Sequence, residues 1–127
     1  SVMEIKWGLV PDMAGLVLMK RLVRDDVARE LTYTGRQFTG EEAYQMGFAT
    51  RVCADPRAEA LALAAEIAAK SPDAIKAAKR LLDMAPDADQ HAILLAESKE
   101  QTALIGSPNQ VEAVMSNMQK RPAVYAD

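Results

Sequence analysis

The stretch Glu4-Ile5-Lys6-Trp7-Gly8-Leu9-Val10-Pro11-Asp12 decides how the first part of this chain folds. Its first residues read as a short β-like run, so Glu4 is expected at the end of a strand. Gly8 and Pro11 then disfavour one continuous helix through the segment. Two carboxylates eight residues apart, Glu4 and Asp12, are therefore expected on an irregular loop, where many catalytic groups occur. This loop is the candidate active site.

Each of the two carboxylates also has an interpretation without catalysis. Glu4 fits a solvated strand residue, because glutamate side chains are mostly exposed. Asp12 precedes the apolar run 13–22, and its side chain could accept the free N–H groups at a helix start. Residue type alone favours these two interpretations, so catalysis has to be argued from further features.

Composition describes an acidic chain with enough apolar residues for a core. The 127 residues are 50% hydrophobic and carry a net charge of −3, with an isoelectric point near 5.2. One domain is the simplest organisation, and a main role in nucleic-acid binding is disfavoured. No apolar run reaches the roughly 18 residues of a membrane span, and the start is unlike a signal peptide. We therefore expect a cytoplasmic protein without membrane contact.

Metal binding is not expected either. His91 is the single histidine and has no cysteine or second histidine nearby, and Cys53 is the single cysteine. A lone histidine or thiol is a poor metal site, and neither disulfide nor metal chemistry is predicted.

After the first loop the sequence predicts helices with clear boundaries. Thr39 and Glu42 have the spacing of a capping box, so a helix is expected over 40–46 that ends at Gly47. Residues 49–53 read as a short strand.

Three later helix starts share one pattern, a capping residue followed by a proline at the first helical position. These pairs are Asp55-Pro56, Ser71-Pro72 and Ser107-Pro108, and Gln110 completes a second capping box after Ser107. The predicted helices cover 56–70, 72–84, 88–105 and 108–120. Apolar residues share faces of these helices, as Ile75, Ala78 and Leu82 do, so packing partners are needed.

An ordered set of motifs resembles the crotonase superfamily, the enoyl-CoA hydratase/isomerase family. The family's segments are PEI-x-x-G-x-x-P-x-x-GG, LTGR-x-F, EEA-x-x-x-G and EKR-x-x-x-F. The stretches of this chain that resemble them are, in the same order, Glu4–Gly15, Thr34-Gly35-Arg36, Glu41-Glu42-Ala43 with Gly47, and Gln119-Lys120-Arg121. The resemblance runs essentially end to end.

The resemblance implies an α/β crotonase-like fold with a spiral ββα core in the complete protein. This chain would be its C-terminal half, mostly α-helical with one or two short strands. Residues 1–54 would complete the core, and residues 55–127 would form a helical region that builds trimers and hexamers. The chain is therefore expected to be a fragment, or one part of a split protein, whose partner is the N-terminal half.

The same resemblance implies chemistry on a CoA thioester that passes through an enolate-like state. Glu4 matches a glutamate that shuttles a proton together with a second glutamate, which would lie in the other half, as would the oxyanion donors. Trp7 is expected to pack in a core, with the lining of an acyl pocket as the alternative. Lys120 would reach the CoA nucleotide, with compensation of a helix dipole as the alternative. CoA is part of the substrate, and no cofactor is expected.

Asp12 leaves the reaction open. Hydratases commonly have glycine at the matching position, whereas dienoyl-CoA isomerases have a carboxylate with the same spacing. We therefore expect an enzyme that hydrates or isomerises an enoyl-CoA thioester. Dienoyl-CoA isomerisation and a non-catalytic oligomerisation module are the alternatives.

Overall fold

A computed structural model describes residues 1–126, which form one 3₁₀ turn and seven α-helices. None of the helices in this range is long and apolar enough to cross a membrane. The 3₁₀ turn is Glu4–Trp7, and the helices are α1 Gly15–Met19, α2 Asp25–Thr34, α3 Gly40–Met46, α4 Pro56–Ala68, α5 Pro72–Met84, α6 Gln90–Leu104 and α7 Pro108–Gln119.

The chain divides into two compact units, Ser1–Pro56 and Arg57–Asp127. The parts expected from the resemblance, residues 1–54 and 55–127, stay a prediction. The roles assigned to the two parts, completion of a core and oligomerisation, stay predictions.

A small apolar core holds the first unit together. Leu31 of α2 is fully buried, and Met19 at the end of α1 and Val23 are nearly so. Burial of such side chains stabilises a fold by roughly 1.5–3 kcal/mol each. The element that packs against α2 is the 3₁₀ turn Glu4–Trp7, which precedes the loop before α1.

The predicted capping box starts α3. The Glu42 N–H donates to Thr39 Oγ1 over 3.2 Å, and the Thr39 N–H donates to Glu42 Oε2 over 2.9 Å. Arg36 donates to Glu42 Oε1 over 3.0 Å and to Glu30 Oε1 over 2.9 Å. The Thr39 N–H and then the Arg36 guanidinium hold the pKa of Glu42 below its ordinary value. Arg36 therefore connects Glu30 of α2 to Glu42 of α3.

Gly47 ends α3, as the sequence predicts. Its φ is 100°, and its N–H donates to the carbonyls of Ala43 and Tyr44 over 3.1 and 3.2 Å. A Cβ at this position would overlap the carbonyl oxygen of Leu22. Only glycine fits both this conformation and this close approach.

Both expectations of β-structure are wrong for the described residues 1–126, which contain no strand. Glu4 begins a 3₁₀ turn in which the Lys6 N–H donates to the Met3 carbonyl over 3.0 Å. At the predicted strand 49–53, the Ala49 N–H turns back to the carbonyl of Ala43 over 3.2 Å. A strand needs a neighbour that accepts its N–H groups and donates to its C=O groups, and the described chain supplies none here.

In the second unit, α5 packs against α6. Ala77 is 2% exposed, and Arg80 of α5 donates two hydrogen bonds to the Glu100 carboxylate of α6 over 2.7 and 2.6 Å. Of the predicted apolar face of α5, Ile75 and Leu82 are exposed, Leu82 by 72%.

Helix boundaries in the second unit agree with the prediction to within two residues. α6 begins at Gln90 because Asp89 is its cap and accepts the Ala92 N–H over 2.8 Å. Ser107 caps α7, but the second capping box is half formed. The Gln110 side chain accepts from the Gly106 N–H over 3.1 Å instead of from the Ser107 N–H.

Candidate active site

Glu4 is the first residue of a tightly closed turn. The Gly8 N–H donates to the Ile5 carbonyl, and the Leu9 N–H donates to the Glu4 carbonyl, each over 3.1 Å. Gly8 takes the left-handed conformation, with φ 69°, at no steric cost. The backbone of Glu4 is therefore fixed by the loop that follows it.

The end of α2 fixes the same turn from a second side. Gly35 ends α2 with φ 61°, and a Cβ there would lie 3.0 Å from Cγ2 of Ile5. Glycine thus allows the 3₁₀ turn to approach α2 closely. Glu4 is held on a packed element, which is the arrangement that a reacting side chain requires.

The Glu4 carboxylate is in an unusual state. The residue is half-buried, and its Oε2 atom is buried without a hydrogen-bond partner among residues 1–126. A buried acceptor without a partner costs about 1–3 kcal/mol, and more when it is charged. Such a group in a native fold needs an explanation, and a role in binding or proton transfer is one. The Glu4 carboxylate is therefore the candidate acid/base on this turn.

Asp12 lies on the loop between the turn and α1, and its side chain is exposed. The interpretation of Asp12 as a helix cap is wrong, because α1 starts at Gly15 with Ala14 at its N-cap and no capping side chain. Ala14 has φ 59°, which is strained for a residue with a Cβ. The loop is also tight, since a Cβ added to Gly15 would lie 3.1 Å from the Cβ of Pro11. The carboxylate of Asp12 is not needed to start α1.

Apolar surface surrounds this loop. Trp7 is 79% exposed and Met13 is 88% exposed, so core packing of Trp7 within this chain is wrong. A groove of about 430 Å³ runs between the loop and α2, and Trp7 is not among its described lining residues. Thr32 lines the groove, and its Oγ1 is buried without a hydrogen-bond partner in the described part of the chain. The apolar lining includes Val10, Pro11, Leu16, Met19, Val23 and Ala28.

Lys120 belongs to the second unit, whereas Glu4, Trp7 and Asp12 belong to the first. It ends α7 in the left-handed conformation, with φ 51°, and its N–H donates to the Asn117 carbonyl over 3.2 Å. The side chain is exposed. A lysine here can meet an anion, and it also offsets the partial negative charge of the helix C-terminus.

A cluster of contacts around Lys120 was not predicted. Glu112 of α7 accepts two hydrogen bonds from the Arg121 guanidinium, over 2.5 and 2.8 Å, and one from the Val124 N–H over 2.8 Å. Arg121 and then the Val124 N–H lower the pKa of Glu112 to about 2, so the carboxylate is ionised at neutral pH. We call these three residues the tail clamp. The sequence offers one signal for this cluster: Glu112 lies on α7, and Arg121 and Pro122 follow soon after the end of that helix.

Within residues 1–126, no group of three His, Cys, Asp or Glu side chains is placed to hold a metal ion.

Comparison with known proteins places these features in a family. The sequence matches the enoyl-CoA hydratase/isomerase family over residues 1–127. A Bacillus subtilis (strain 168) protein named as an enoyl-CoA hydratase/isomerase is 32% identical, with 96% of this chain and 48% of that protein covered. The mitochondrial Δ(3,5)-Δ(2,4)-dienoyl-CoA isomerase of Mus musculus is 27% identical, with 95% and 38% covered.

The fold agrees with that of solved structures. The crystal structure of an enoyl-CoA hydratase from Bacillus anthracis superposes with a TM-score of 0.89 at 27% identity, covering 97% of this chain and 48% of that one. This chain thus spans about half the length of the relatives it matches. The match over all of its residues, together with the shared fold, shows that the chain belongs to the enoyl-CoA hydratase/isomerase family of the crotonase superfamily.

Proposed function

We propose that this chain is the C-terminal half of an acyl-CoA enzyme that hydrates or isomerises an enoyl-CoA thioester, with Glu4 as acid/base. The observation that carries the proposal is the Glu4 Oε2 atom, which is buried and unpaired on a turn held by Gly35. Its position in the sequence matches the family glutamate. The apolar groove beside the loop supports a ligand with a hydrocarbon portion.

In hydration, the oxygen of a water bonds to the β-carbon of the enoyl group while a carboxylate takes one of its protons. A proton is then delivered to the α-carbon, so the elements of water add across the double bond. The thioester oxygen carries negative charge between these events and needs N–H donors. We assign those donors and the second glutamate to an N-terminal half. Proton transfers of this kind require no cofactor beyond the CoA of the substrate.

The exposed apolar surface supports the need for partners. Trp7 and Met13 in the first unit and Leu82 and Met118 in the second are exposed by 72% or more. Large exposed apolar patches mark interfaces. We propose that the N-terminal half covers the surface around Trp7 and that copies of the chain associate through the helical unit as trimers or hexamers.

The first prediction concerns the catalytic activity of the chain by itself. The 127-residue chain alone should not hydrate crotonyl-CoA, because we assign the oxyanion donors to an N-terminal half. Addition of a separately produced N-terminal half should restore turnover. Loss of absorbance of the conjugated thioester measures the reaction. Turnover by the chain alone would refute the division into halves. A correctly assembled but inactive complex would instead favour the non-catalytic oligomerisation module.

Dienoyl-CoA isomerisation is the second candidate, and Asp12 is the observation that favours it. This exposed carboxylate does not cap α1, and a mouse dienoyl-CoA isomerase is among the relatives. Movement of a proton along a diene uses two carboxylates, whereas hydration needs none at Asp12.

Asp12→Asn in the assembled enzyme separates the two reactions. We expect dienoyl-CoA isomerisation to fall by more than about tenfold, or about 1.4 kcal/mol in barrier, while crotonyl-CoA hydration changes only a few-fold. The unfolding midpoint should stay constant, because no capping hydrogen bond is lost. Equal rate effects on both substrates, or none, would remove Asp12 from the proton-transfer scheme.

A further inference from the structure

The residues that follow the turn after α7 show an alternating exposure. Val124 and Ala126 are exposed, whereas Ala123 and Tyr125 are half-buried. Alternation with a period of two is typical of an extended segment. We call residues 122–126 the tail segment. Its side chains face solvent and the second unit in turn.

Two side chains of α7 bind the backbone of the tail segment at residues two apart. Glu112 accepts from the Val124 N–H over 2.8 Å. The Asn109 side chain donates to the Ala126 carbonyl over 2.9 Å and accepts from the Ala126 N–H over 2.8 Å. In an extended chain, the backbone groups of residues two apart point to the same side, so these three hydrogen bonds form one row. The row recognises backbone groups and makes no demand on side chains.

Asn109 is oriented for this contact before the tail segment binds. The residue is 6% exposed, and its Nδ2 atom also donates to Asp73 of α5 over 2.8 Å. A reversed amide would bring the Asn109 oxygen against the Asp73 carboxylate, which can only accept when it is ionised. Asp73 thus fixes which atom of Asn109 donates to Ala126 and which accepts from it.

The half-buried side chains of the tail segment lie at a cavity. This cavity of about 410 Å³ is lined by Ala123 and Tyr125 and, where α4 ends and α5 begins, by Ala68, Ala69 and Pro72. The three residues from the helices are small or apolar, so they restrict the size of an entering side chain but require no polar group from it.

The reversal that brings the tail segment back onto α7 is strained. Lys120 has φ 51°, a left-handed conformation that a Cβ disfavours. Such a conformation persists because the surrounding contacts determine it. A tail segment supplied by another molecule would make the same row of contacts without this reversal.

We propose that α5 and α7 form a peptide-binding site that recognises the backbone of an extended segment, and that its ligand is the tail segment. In this structure the chain holds its own tail segment. The site accepts the same segment from a second copy of the chain once its own is released. This inference does not depend on the proposed function, because catalysis uses none of the residues that contact the tail segment.

The test uses the full-length chain and a peptide, acetyl-Pro-Ala-Val-Tyr-Ala-amide, that copies residues 122–126. The double substitution Val124→Pro/Ala126→Pro should release the tail segment, because proline has no N–H to donate to Glu112 or Asn109. The peptide should shift the NMR signals of α7 in this variant. It should bind the unmodified chain at least about tenfold more weakly, since an attached segment competes at a high effective concentration. Equal binding to both chains, or none to the variant, would overturn the inference.

Two asparagines of α7 provide a matched pair within the double proline variant. The Asn117 side chain donates to the Ala113 carbonyl of its own helix over 3.0 Å. Asn109→Ala should weaken binding of the peptide about tenfold, because both hydrogen bonds to Ala126 are lost. Asn117→Ala should leave binding unchanged. An equal loss in both variants, or none in either, would mean that the peptide binds elsewhere and would refute the proposed site.

Amide hydrogen exchange in the unmodified full-length chain gives a second readout. The Val124 and Ala126 N–H groups have acceptors, whereas those of Ala123 and Tyr125 have none among residues 1–126. Exchange should therefore be at least about tenfold slower at Val124 and Ala126 than at the two residues between and before them. Asn109→Ala should remove the protection at Ala126. Uniform exchange along the tail segment would contradict the inference, whether or not the proline variant folds.

Discussion

Glu4→Gln in the assembled enzyme is expected to lower kcat by about 10²–10⁴-fold. Glutamine keeps the length and hydrogen-bonding reach of glutamate but cannot take up and return a proton. The buried Oε2 atom of Glu4 has no partner among the described residues that a glutamine would disturb. KM should change little, since glutamine has nearly the same size and hydrogen-bonding reach as glutamate. Steady-state hydration of crotonyl-CoA measures the effect.

Glu41→Gln is a suitable control for this experiment. Glu41 is an exposed glutamate in the first turn of α3, within the same unit. Glu41→Gln should leave kcat unchanged within a factor of about two, as surface substitutions usually do. If Glu4→Gln behaved like this control, Glu4 would be a structural residue and the acid/base would have to be sought elsewhere.

Gly47→Ala is expected to destabilise the first unit by at least about 2 kcal/mol. Two costs combine: the left-handed φ of 100° and the overlap of the new Cβ with the carbonyl oxygen of Leu22. The overlap is with backbone, so it cannot be relieved by a side-chain rotation. Denaturant unfolding of the assembled enzyme measures the loss.

Gly40→Ala provides the matched control, because nothing lies within 4 Å of a Cβ at the start of α3 and its φ is not positive. Alanine there should be neutral or slightly stabilising, since it is a better helix former. Comparable losses in both variants would mean that the contact between Gly47 and Leu22 does not contribute to stability.

The sequence predicts those features that depend on local chemistry. The capping box of Thr39 and Glu42, the helix end at Gly47 and the proline starts of α5 and α7 all appear where expected. Each is decided within a few residues by side-chain caps and backbone preference, and such interactions do not depend on the rest of the fold.

Features that depend on distant partners were not predicted correctly. The strand expected at 49–53 has no partner in the described chain, and the β-like run at Glu4 closes into a 3₁₀ turn instead. The tail clamp joins Glu112 to Arg121 across a chain reversal, and no short motif announces it. The left-handed backbone of Ala14 likewise has no signal in the sequence, because alanine does not favour that conformation.

The exposed apolar loop around Trp7 has a consequence for the life of this chain in a cell. Trp7 is 79% exposed and Met13 is 88% exposed, and such apolar exposure resembles the surface of an unfinished protein. Chaperones and proteases recognise such surfaces and act continuously on chains that display them. The abundance of this chain would then follow the supply of whatever covers the loop, and an excess of the chain would be removed.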